Sequence, residues 1–362
     1  MKVKVGDITK IRTGKLDANA SSEDGAYPFF TCSREPLRIS TYSYDCECVL
    51  VAGNGDLNVK YYNGKFDAYQ RTYIIEDNSN GRLYMPYLYL FMEGYIEELR
   101  RLAIGGVIKY IKLGNLTDAL VKLPSLEEQK NIVKTLFKLK LVLDQRQDQL
   151  NQLDDLIKAR FVELFGSLEE HIRLGDCSEL ITKGASPKWQ GLDYIDHSDG
   201  TLFVTSENIR EGFIDYSKKK YLPNEINSIL PRSVLKKNDV LINIVNASIG
   251  RAAIFDSDEL ANINQAVALV RPQHNRINVL FLLVFLNSDY AIAQYNRMKV
   301  GGDKANLSLK NISELKIPEV SITEQNKFAE FVRQVDKSKD TIQKLLDKEQ
   351  NLFDSLMQQY FG

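Results

Sequence analysis

The sequence predicts an α+β protein with two globular units, related by a pseudo-twofold axis and separated by two long antiparallel coiled-coil helices. Three observations predict this organisation. The segment SLEEQKNIV at 125–133 recurs 196 positions later as SITEQNKFA at 321–329. Each copy opens a long stretch with helical spacing of apolar residues. Each stretch follows a region in which short β-branched segments alternate with glycine and asparagine turns.

The first globular unit is predicted at 1–110 and the second at 167–304. Both units begin with a similar segment, VKVGDITKIRTGK at 3–15 and IRLGDCSELITKG at 172–184. Alternating strand-like segments follow in both copies, and each unit contains a short helical run near its end. Strands and helices combined in one compact unit are typical of an α+β domain.

Each unit is followed by a second region, 111–166 or 305–362, that carries one long helix, at 125–165 and 321–361. Both helices begin with the pattern Ser-x-x-Glu after a proline-containing segment. The serine hydroxyl can accept a hydrogen bond from an amide of the first turn, and the glutamate can reach back to the amide of the serine. The pattern therefore predicts a capping box at the start of both helices.

The two helices are predicted to pack on each other. Apolar residues from Ile132 to Ile157 are spaced alternately four and three residues apart, and the same spacing recurs at an offset of 196 residues. This alternation indicates a coiled-coil seam. Three charged residues interrupt the seam: Arg146, Lys339 and Glu349.

Composition excludes several classes of protein. The chain has 362 residues, of which 44% are hydrophobic and 26% are charged, so it can form globular domains with real cores. A net charge of −1 gives no global basic field of the kind seen in many nucleic-acid-binding proteins. The first residues lack the apolar segment of a signal peptide, and the longest apolar run, 279–286, is too short to span a bilayer. We expect a cytoplasmic protein without a membrane partner.

The sequence contains no recognisable catalytic or metal-binding motif. It has no phosphate-binding loop, no dinucleotide fingerprint, no HExxH, no GxSxG and no plausible pair of nucleophilic cysteine and histidine. Cys46 and Cys48 could begin a metal site, but no second pair or nearby histidine completes it. We therefore expect a non-enzymatic chain that holds no metal and no cofactor.

Four polar loops recur in both units and are the candidate functional elements. Glycine lets a main chain approach a phosphate, lysine and arginine neutralise it, and asparagine or glutamine can bond an adenine edge. Taken singly, each loop could equally be a hairpin turn with solvated lysines. The candidates in the first unit are Arg12, Thr13, Gly14, Lys15, Asn54, Gly55, Tyr69, Gln70, Gly105, Gly106 and Lys109. Those in the second are Lys183, Gly184, Ser186, Asn246, Ser248, Gly250, Arg251, Asn264, Gln265, Gly301, Gly302 and Lys304.

This layout resembles the specificity subunit of type I restriction-modification systems. Long helices of that family open with Pro-x-x-x-Glu-Gln and close near Phe-Gly, similar to the segments 123–166 and 317–362. The family's Gly-x-x-Gly element is similar to the loop 247–251. The resemblance covers essentially the whole chain, and its helix motifs are its specific part.

The resemblance implies a DNA-binding subunit without a catalytic site of its own. Its globular units would be target-recognition domains, each reading one half of a split double-stranded DNA sequence, and its helices would set the unread spacer. Methyltransferase (modification) subunits would dock on the helices and bring S-adenosylmethionine. Restriction/motor subunits would complete the complex and use ATP and magnesium. The seam charges Arg146, Lys339 and Glu349 would then mark places where these partners contact the helices.

Two other functions are open at this point. A two-headed coiled-coil scaffold could bind proteins through its globular ends, and a mobility-shift assay with partner subunits would distinguish it from a DNA-binding protein. A self-contained nuclease could bind metal through acidic residues such as Asp56 and Asp303. Magnesium-dependent cleavage of DNA by the chain alone would identify the nuclease.

Overall fold

The computed structural model describes residues 2–196, 199–299 and 305–362, and it divides the chain into two compact units. Unit 1 comprises Met1–Gln147 and Lys344–Gly362, and unit 2 comprises Asp148–Gln343. Each long helix therefore contributes one part to each unit. The domain limits predicted from the repeat, at 110, 166 and 304, stay a prediction.

Strands and helices alternate irregularly in the first part of the chain, as expected for an α+β fold. In chain order they are β1 (Lys2–Lys4), α1 (Val5–Ile8), β2 (Thr9–Thr13), β3 (Tyr27–Phe30), β4 (Leu37–Ile39), β5 (Tyr44–Ala52), β6 (Val59–Ala68), β7 (Thr72–Asp77), α2 (Met85–Gly94), α3 (Ile96–Leu102), α4 (Leu113–Thr117), β8 (Leu120–Lys122) and the long helix α5 (Leu126–Phe165).

The second part of the chain repeats this plan with added elements. These are β9 (His171–Arg173), β10 (Ser178–Lys183), β11 (Thr201–Val204), β12 (Tyr221–Leu222), α6 (Ile226–Ile229), β13 (Val240–Asn243), β14 (Ala252–Ile254), β15 (Ala261–Ile263), β16 (Val267–Pro272), α7 (Val279–Leu286), α8 (Asp289–Met298), α9 (Leu309–Ser313), β17 (Lys316–Pro318) and the long helix α10 (Ile322–Phe361). The predicted α+β class with two long helices is confirmed.

The sheets of the two units share a common part. Unit 1 has a six-stranded sheet in the order β2-β7-β5-β6-β3-β4. Unit 2 has a four-stranded sheet in the order β10-β16-β13-β14, in which all neighbours are antiparallel, as are the first four strands of unit 1. Unit 2 adds a separate three-stranded sheet, β12-β11-β15. The first four strands of unit 1 thus correspond in order and direction to the four of unit 2.

One face of each sheet is covered by helices and forms the core. In unit 1, Val49 and Val51 of strand β5 lie in one apolar cluster with Leu88 of α2 and Leu136 of α5. In unit 2 the corresponding cluster is rich in phenylalanine, and its aromatic rings come from α5, α7 and α10 (Phe161, Phe165, Phe281, Phe285 and Phe328). The long helices are therefore part of both cores, and burial of their apolar faces stabilises them beyond their intrinsic propensity.

Each unit is closed by a two-stranded ribbon that the sequence did not reveal. Strand β1, at the start of unit 1, pairs antiparallel with β8, which precedes helix α5. Strand β9 pairs in the same way with β17, which precedes helix α10. The ribbon joins the beginning of each globular domain to the beginning of its long helix.

The predicted capping box is complete at helix α5, and its serine cap is also present at helix α10. The hydroxyl of Ser125 accepts a hydrogen bond from the Glu128 amide at 3.3 Å, and the Glu128 carboxylate accepts one from the Ser125 amide at 2.9 Å. Hydrogen bonds from Ser125 hold the pKa of Glu128 below its ordinary value. In the second copy, the hydroxyl of Ser321 lies 3.3 Å from the Glu324 amide.

The repeated motif continues for one residue beyond the capping glutamate, and this residue is a buried glutamine with a structural role. Gln129 is fully buried, and its Oε1 accepts a hydrogen bond from the amide of Tyr84 at 2.8 Å. Its Nε2 donates to the carbonyls of Arg82 at 2.8 Å and Pro124 at 2.9 Å. This one side chain connects the first turn of α5 to the segment that begins helix α2.

Gln325 repeats the arrangement in unit 2. Its Oε1 accepts from the amide of Asn278 at 2.8 Å, and its Nε2 donates to the carbonyls of Arg276 at 3.1 Å and Val320 at 2.8 Å. Asn278 is the N-cap residue of helix α7, and Tyr84 is the N-cap residue of helix α2. The glutamine of the repeated Glu-Gln pair is thus a structural connector in both units.

The charged residues of the seam have partners within the chain. In unit 1, Arg146 of α5 and Glu349 of α10 form an ion pair at 3.5 Å. In unit 2, Lys339 of α10 pairs with Asp154 of α5. The charges thus have a role in helix pairing that requires no external subunit, and contact with partner subunits at these residues stays a prediction. Within the described ranges, none of the helices combines the length and hydrophobicity needed to cross a membrane.

Candidate nucleic-acid interface

The four predicted loops of unit 1 converge on one edge of its sheet. Strand β2 ends at Thr13 and strand β5 ends at Ala52 at this edge, and strand β7 begins there at Thr72. The loop of residues 13–15 follows β2, and the loop of residues 53–55 follows β5. The turn 69–71 precedes β7, so three of the candidate loops lie at neighbouring strand ends.

Backbone hydrogen bonds connect these loops to one another. The amide of Gly14 donates to the carbonyl of Thr72 at 3.0 Å, and the amide of Gln70 donates to that of Leu16 at 2.9 Å. The amide of Gly53 donates to the carbonyl of Arg71 at 2.8 Å. The fourth loop is connected to the loop after β5, because the amide of Gly55 donates to the carbonyl of Lys109 at 3.1 Å.

The corresponding loops of unit 2 lie at the equivalent edge. Lys183 ends β10 opposite Ala268 of β16, and Asn243 ends β13 opposite Val267 of the same strand. The loop after β13 is joined to the segment before α9, since the amide of Asn246 donates to the carbonyl of Ala305 at 2.8 Å. This bond corresponds to the one between Gly55 and Lys109 in unit 1. Gly301, Gly302 and Lys304 lie outside the described residues.

Several side chains at the edge of unit 1 extend into solvent. Thr13, Lys15, Gln70 and Lys109 are exposed, and Gly55, Gly105 and Gly106 lie in exposed turns. Asn54 and Tyr69 are half-buried, and both take part in backbone bridges between the loops. The predicted cations and amides are therefore brought together on one surface.

Arg71 is a candidate that sequence reasoning missed. It follows Gln70 in the same turn, its side chain is exposed, and it makes no ion pair with any residue that the structure describes. Its counterpart after Gln265 in unit 2 is Ala266. Because the candidates were selected by their recurrence in both copies, an arginine present in one copy gave no signal.

The edge of unit 2 carries a comparable set of side chains. Lys183, Asn246, Arg251 and Gln265 are exposed, whereas Ser186 is half-buried at the start of a short helical turn. Two candidates instead bond to nearby backbone groups: Asn264 accepts from the amide of Ala266 at 3.1 Å, and Ser248 donates to the carbonyl of Val245 at 3.3 Å. Asn264 and Ser248 therefore shape the loops.

The side chain of Arg12 has partners within the chain, and its contact with DNA stays a prediction. Its guanidinium lies 2.7 Å from the carboxylate of Glu76 on the neighbouring strand β7 and 4.7 Å from the centre of the Tyr44 ring. The side chain is thus held on the face of the sheet by an ion pair and a cation–π contact. It is not one of the exposed cations at the edge.

Three of the candidate glycines approach the chain itself. A Cβ on Gly14 would overlap the carbonyl of Ala68, and one on Gly184 would overlap the carbonyl of Ile263. At Gly250, with φ of +90°, a Cβ would lie 2.6 Å from the buried ring of Tyr295. These glycines therefore make room for neighbouring loops and side chains, and their contact with a phosphate stays a prediction.

The acidic residues proposed for a nuclease do not form a metal site in the described residues. Asp56 lies 2.9 Å from the guanidinium of Arg34 and 3.3 Å from that of Arg100. The hydrogen bond from Arg34 is the main cause that holds the pKa of Asp56 below its ordinary value. The negative charge of Asp56 is therefore already balanced by arginine side chains. Asp303 lies outside the described part of the chain.

The thiols of the Cys46-Glu47-Cys48 segment lie on one face of the central strand β5. Burial is the main cause that raises the pKa of Cys48 and of Cys46. A raised pKa keeps a thiol protonated at neutral pH, and metals bind the thiolate. Among the described residues, no group of three or more possible metal ligands includes these thiols.

Comparison with known proteins finds relatives of this chain. The model of a family described as the type I restriction modification DNA specificity domain matches residues 1–154 and 170–350. The specificity subunit of the type I restriction enzyme EcoDI, from Escherichia coli, is 40% identical over 156 residues, which are 43% of this chain and 34% of the relative. That of EcoBI, also from Escherichia coli, is 26% identical over 317 residues, which are 79% of this chain and 66% of the relative. The chain thus spans about a third of the first relative and just under two thirds of the second.

A solved structure extends the likeness to the fold of the whole chain. The S subunit of a type I restriction-modification system from M. genitalium superposes with a TM-score of 0.60 at 19% identity, covering 100% of this chain and 96% of that one. At this identity the likeness shows a shared fold. The family model matches most of the chain and both halves of its repeat. The chain therefore belongs to the family of the type I restriction modification DNA specificity domain.

Proposed function

We propose that this chain is the non-catalytic DNA-specificity subunit of a type I restriction-modification complex. Each α+β unit would read one half of a split target in double-stranded DNA. The observation that carries the proposal is the placement of the candidate loops. Loops of three of the four types lie at equivalent strand ends in the described residues of both units, and backbone hydrogen bonds connect neighbouring loops within each unit.

The exposed side chains at these edges fit the chemistry of duplex DNA. Lysine and arginine neutralise phosphates and fix the position of a protein on the backbone. Glutamine can form two hydrogen bonds with an adenine edge in the major groove. Gln70 and Gln265 occupy corresponding turns and are both exposed. We assign base reading to them, and phosphate contact to cations such as Lys15 and Arg251.

We infer the partners from the family of the chain and from its net charge. Its net charge of −1 predicts weak DNA binding by the chain alone, so we infer that other subunits contribute to the phosphate contacts. Methyltransferase subunits would dock on α5 and α10 and bring S-adenosylmethionine, and these helices would set the unread spacer. Restriction/motor subunits would bring ATP and magnesium chemistry. The complex would work in the cytoplasm, where it meets DNA.

The proposal predicts that sequence-specific methylation depends on partners. The purified chain is expected neither to methylate nor to cut DNA, because the proposed role is recognition alone. When the chain is combined with its methyltransferase subunits and S-adenosylmethionine, methylation should appear at one split sequence in a random DNA library. Sequencing of the modified bases gives both halves and the spacer.

The controls for this experiment separate the rival functions. Methyltransferase subunits without the chain should give no specific methylation. Methyl transfer or magnesium-dependent cleavage by the isolated chain would contradict the proposal. Partner-dependent methylation without any sequence preference would instead favour a scaffold.

Gln265→Ala tests the assignment within unit 2. We expect affinity for the target half that unit 2 reads to fall by about 1–3 kcal/mol, the typical value of a bidentate base contact. Discrimination at the other half should not change. The measurement is binding of the assembled complex to duplexes in which each position of either half is varied.

Two variants serve as matched controls for this prediction. Gln70→Ala makes the same change in the corresponding turn of unit 1 and should affect only the first half. Arg251→Ala should weaken binding to all sequences and reduce the salt dependence by about one unit, as expected for a lost phosphate contact. Unchanged discrimination in Gln265→Ala would assign this turn a purely structural role.

A further inference from the structure

The fourth loop of unit 1 ends in an exposed apolar tip. Residues 104–110 form a hairpin, and the side chain of Val107 at its tip is fully exposed. Ile108 is 62% exposed, and Gly105 and Gly106 precede the pair. Tight turns normally carry glycine, asparagine, aspartate or proline for conformational reasons. Two adjacent β-branched apolar residues at this position gain little burial from folding, and such a grouping indicates a contact surface.

The hairpin is held in a defined position. The amides and carbonyls of Ile104 and Tyr110 exchange hydrogen bonds at 3.0 and 2.9 Å. The amide of Gly55 donates to the carbonyl of Lys109, and the amide of Ile111 donates to that of Gly53 at 2.9 Å. Gly105 has φ of +120°, which glycine adopts readily and which permits the tight turn. The tip is therefore anchored on the loop after β5, within the candidate interface.

The charge around the tip indicates what it contacts. Lys109 follows the apolar pair directly and is exposed, and Lys15 and Arg71 belong to loops at the same sheet edge. None of the three makes an ion pair with a residue that the structure describes. A groove of a nucleic acid offers apolar base surfaces between two rows of phosphates. An apolar hairpin tip surrounded by unpaired cations is complementary to such a groove.

We propose that Val107 and Ile108 enter a groove of the DNA half-site read by unit 1 and make an apolar contact with its bases, while Lys109 contacts the adjoining phosphate. The proposal rests on the proposed function and adds a base-contacting element to it. Apolar side chains can act at such a site as a wedge that partly unstacks a base step, or by packing on a thymine methyl group. Either contact would make the hairpin contribute to affinity and to sequence preference. The base involved would be one that the glutamine side chains do not contact.

The test uses the double variant Val107→Ser/Ile108→Ser in the complete complex with methyltransferase subunits, on the target mapped for the unaltered chain. We expect a loss of affinity for the cognate duplex of about tenfold if one of the two side chains is buried in the complex and about a hundredfold if both are, since burial of each corresponds to about a factor of ten. Discrimination at the half read by unit 2 should not change. Leu120→Ser is the matched control, because Leu120 is also exposed but lies in the ribbon strand β8, away from this sheet edge.

Modified DNA identifies the contact. The fluorescent base 2-aminopurine is placed at each position of the first half-site, and thymine is replaced by deoxyuracil in a parallel series. Either a fluorescence increase at one step or a loss of affinity at one deoxyuracil supports the proposal, provided that the double variant abolishes the effect.

Equal affinity and equal probe responses in the variant and the unaltered complex would overturn the proposal. A variant that no longer assembles with methyltransferase subunits would also overturn it, because the tip would then contact protein. Failure of the proposed function itself would be distinguishable, since the unaltered complex would then show no sequence preference.

Discussion

Replacing Gln129 by leucine is expected to lower the free energy of unfolding of unit 1 by about 3 kcal/mol or more. The side chain is fully buried and connects three backbone groups, the amide of Tyr84 and the carbonyls of Arg82 and Pro124. Leucine has a similar volume but no polar atoms. The three backbone groups are part-buried, so water would replace these partners only in part, and each group left unsatisfied costs about 1–3 kcal/mol.

The destabilisation by Gln129→Leu should be concentrated near the replaced side chain. The glutamine joins the start of α5 to the start of α2, so the first turns of both helices should lose protection together. Amide hydrogen exchange followed residue by residue would detect this, because local opening reports the stability of each segment. Global stability is measured in parallel by urea denaturation.

Two variants define the comparison. Gln325→Leu makes the same change in unit 2 and should raise exchange at the starts of α7 and α10. Gln334→Leu places the same substitution on an exposed position of α10, where a change within about 0.5 kcal/mol is expected. If Gln129→Leu were no more destabilising than Gln334→Leu, the connecting role of the repeated glutamine would be refuted.

The long helices were predictable because their signals are local. The capping boxes and the alternating seam lie within the helices themselves, and the observed helices Leu126–Phe165 and Ile322–Phe361 begin one residue after the predicted starts. The ribbons β1–β8 and β9–β17 were not predictable, since each joins segments more than a hundred residues apart. The glutamine in the first turn of the helix likewise gave no local sign of its two distant partners, Arg82 and Tyr84.

The candidate interface was predictable in composition but not in detail. Recurrence in both copies identified the loops, and their convergence follows from an antiparallel sheet in which alternate strand ends meet at one edge. Recurrence could not identify Arg71, whose counterpart is Ala266. It also could not show that Arg12 is paired with Glu76, because that contact depends on strand register. A glycine in a sequence signals close approach without showing which atoms approach it.

Gly184 gives the second large expected effect, because its replacement by alanine should disconnect two loops of unit 2. The added Cβ would overlap the carbonyl oxygen of Ile263 and lie 2.9 Å from that of Asn264. These are backbone atoms and cannot rotate away as a side chain would. The loop after β10 or the turn before β16 must therefore shift, and overpacking of this kind costs about 1–3 kcal/mol.

The functional consequence should exceed the loss of stability. Gln265 directly follows the displaced segment, so the Gly184→Ala complex should lose methylation that depends on the half-site of unit 2 while it still discriminates at the other half. Methylation mapped across libraries that vary one half at a time measures the two separately. Gly14→Ala should give the reciprocal result, since a Cβ there would overlap the carbonyl of Ala68 beside Tyr69.

Gly114→Ala is the control for these substitutions, because the nearest atom to its added Cβ would be a carboxylate oxygen of Asp118 at 3.8 Å. This position lies in helix α4, where alanine is favoured over glycine by about 1 kcal/mol. We expect unchanged recognition and equal or higher stability. A Gly184→Ala complex that folds and still discriminates at both halves would show that the two loops tolerate separation. The glycine would then serve packing alone, and base reading by unit 2 would have to come from its other loops.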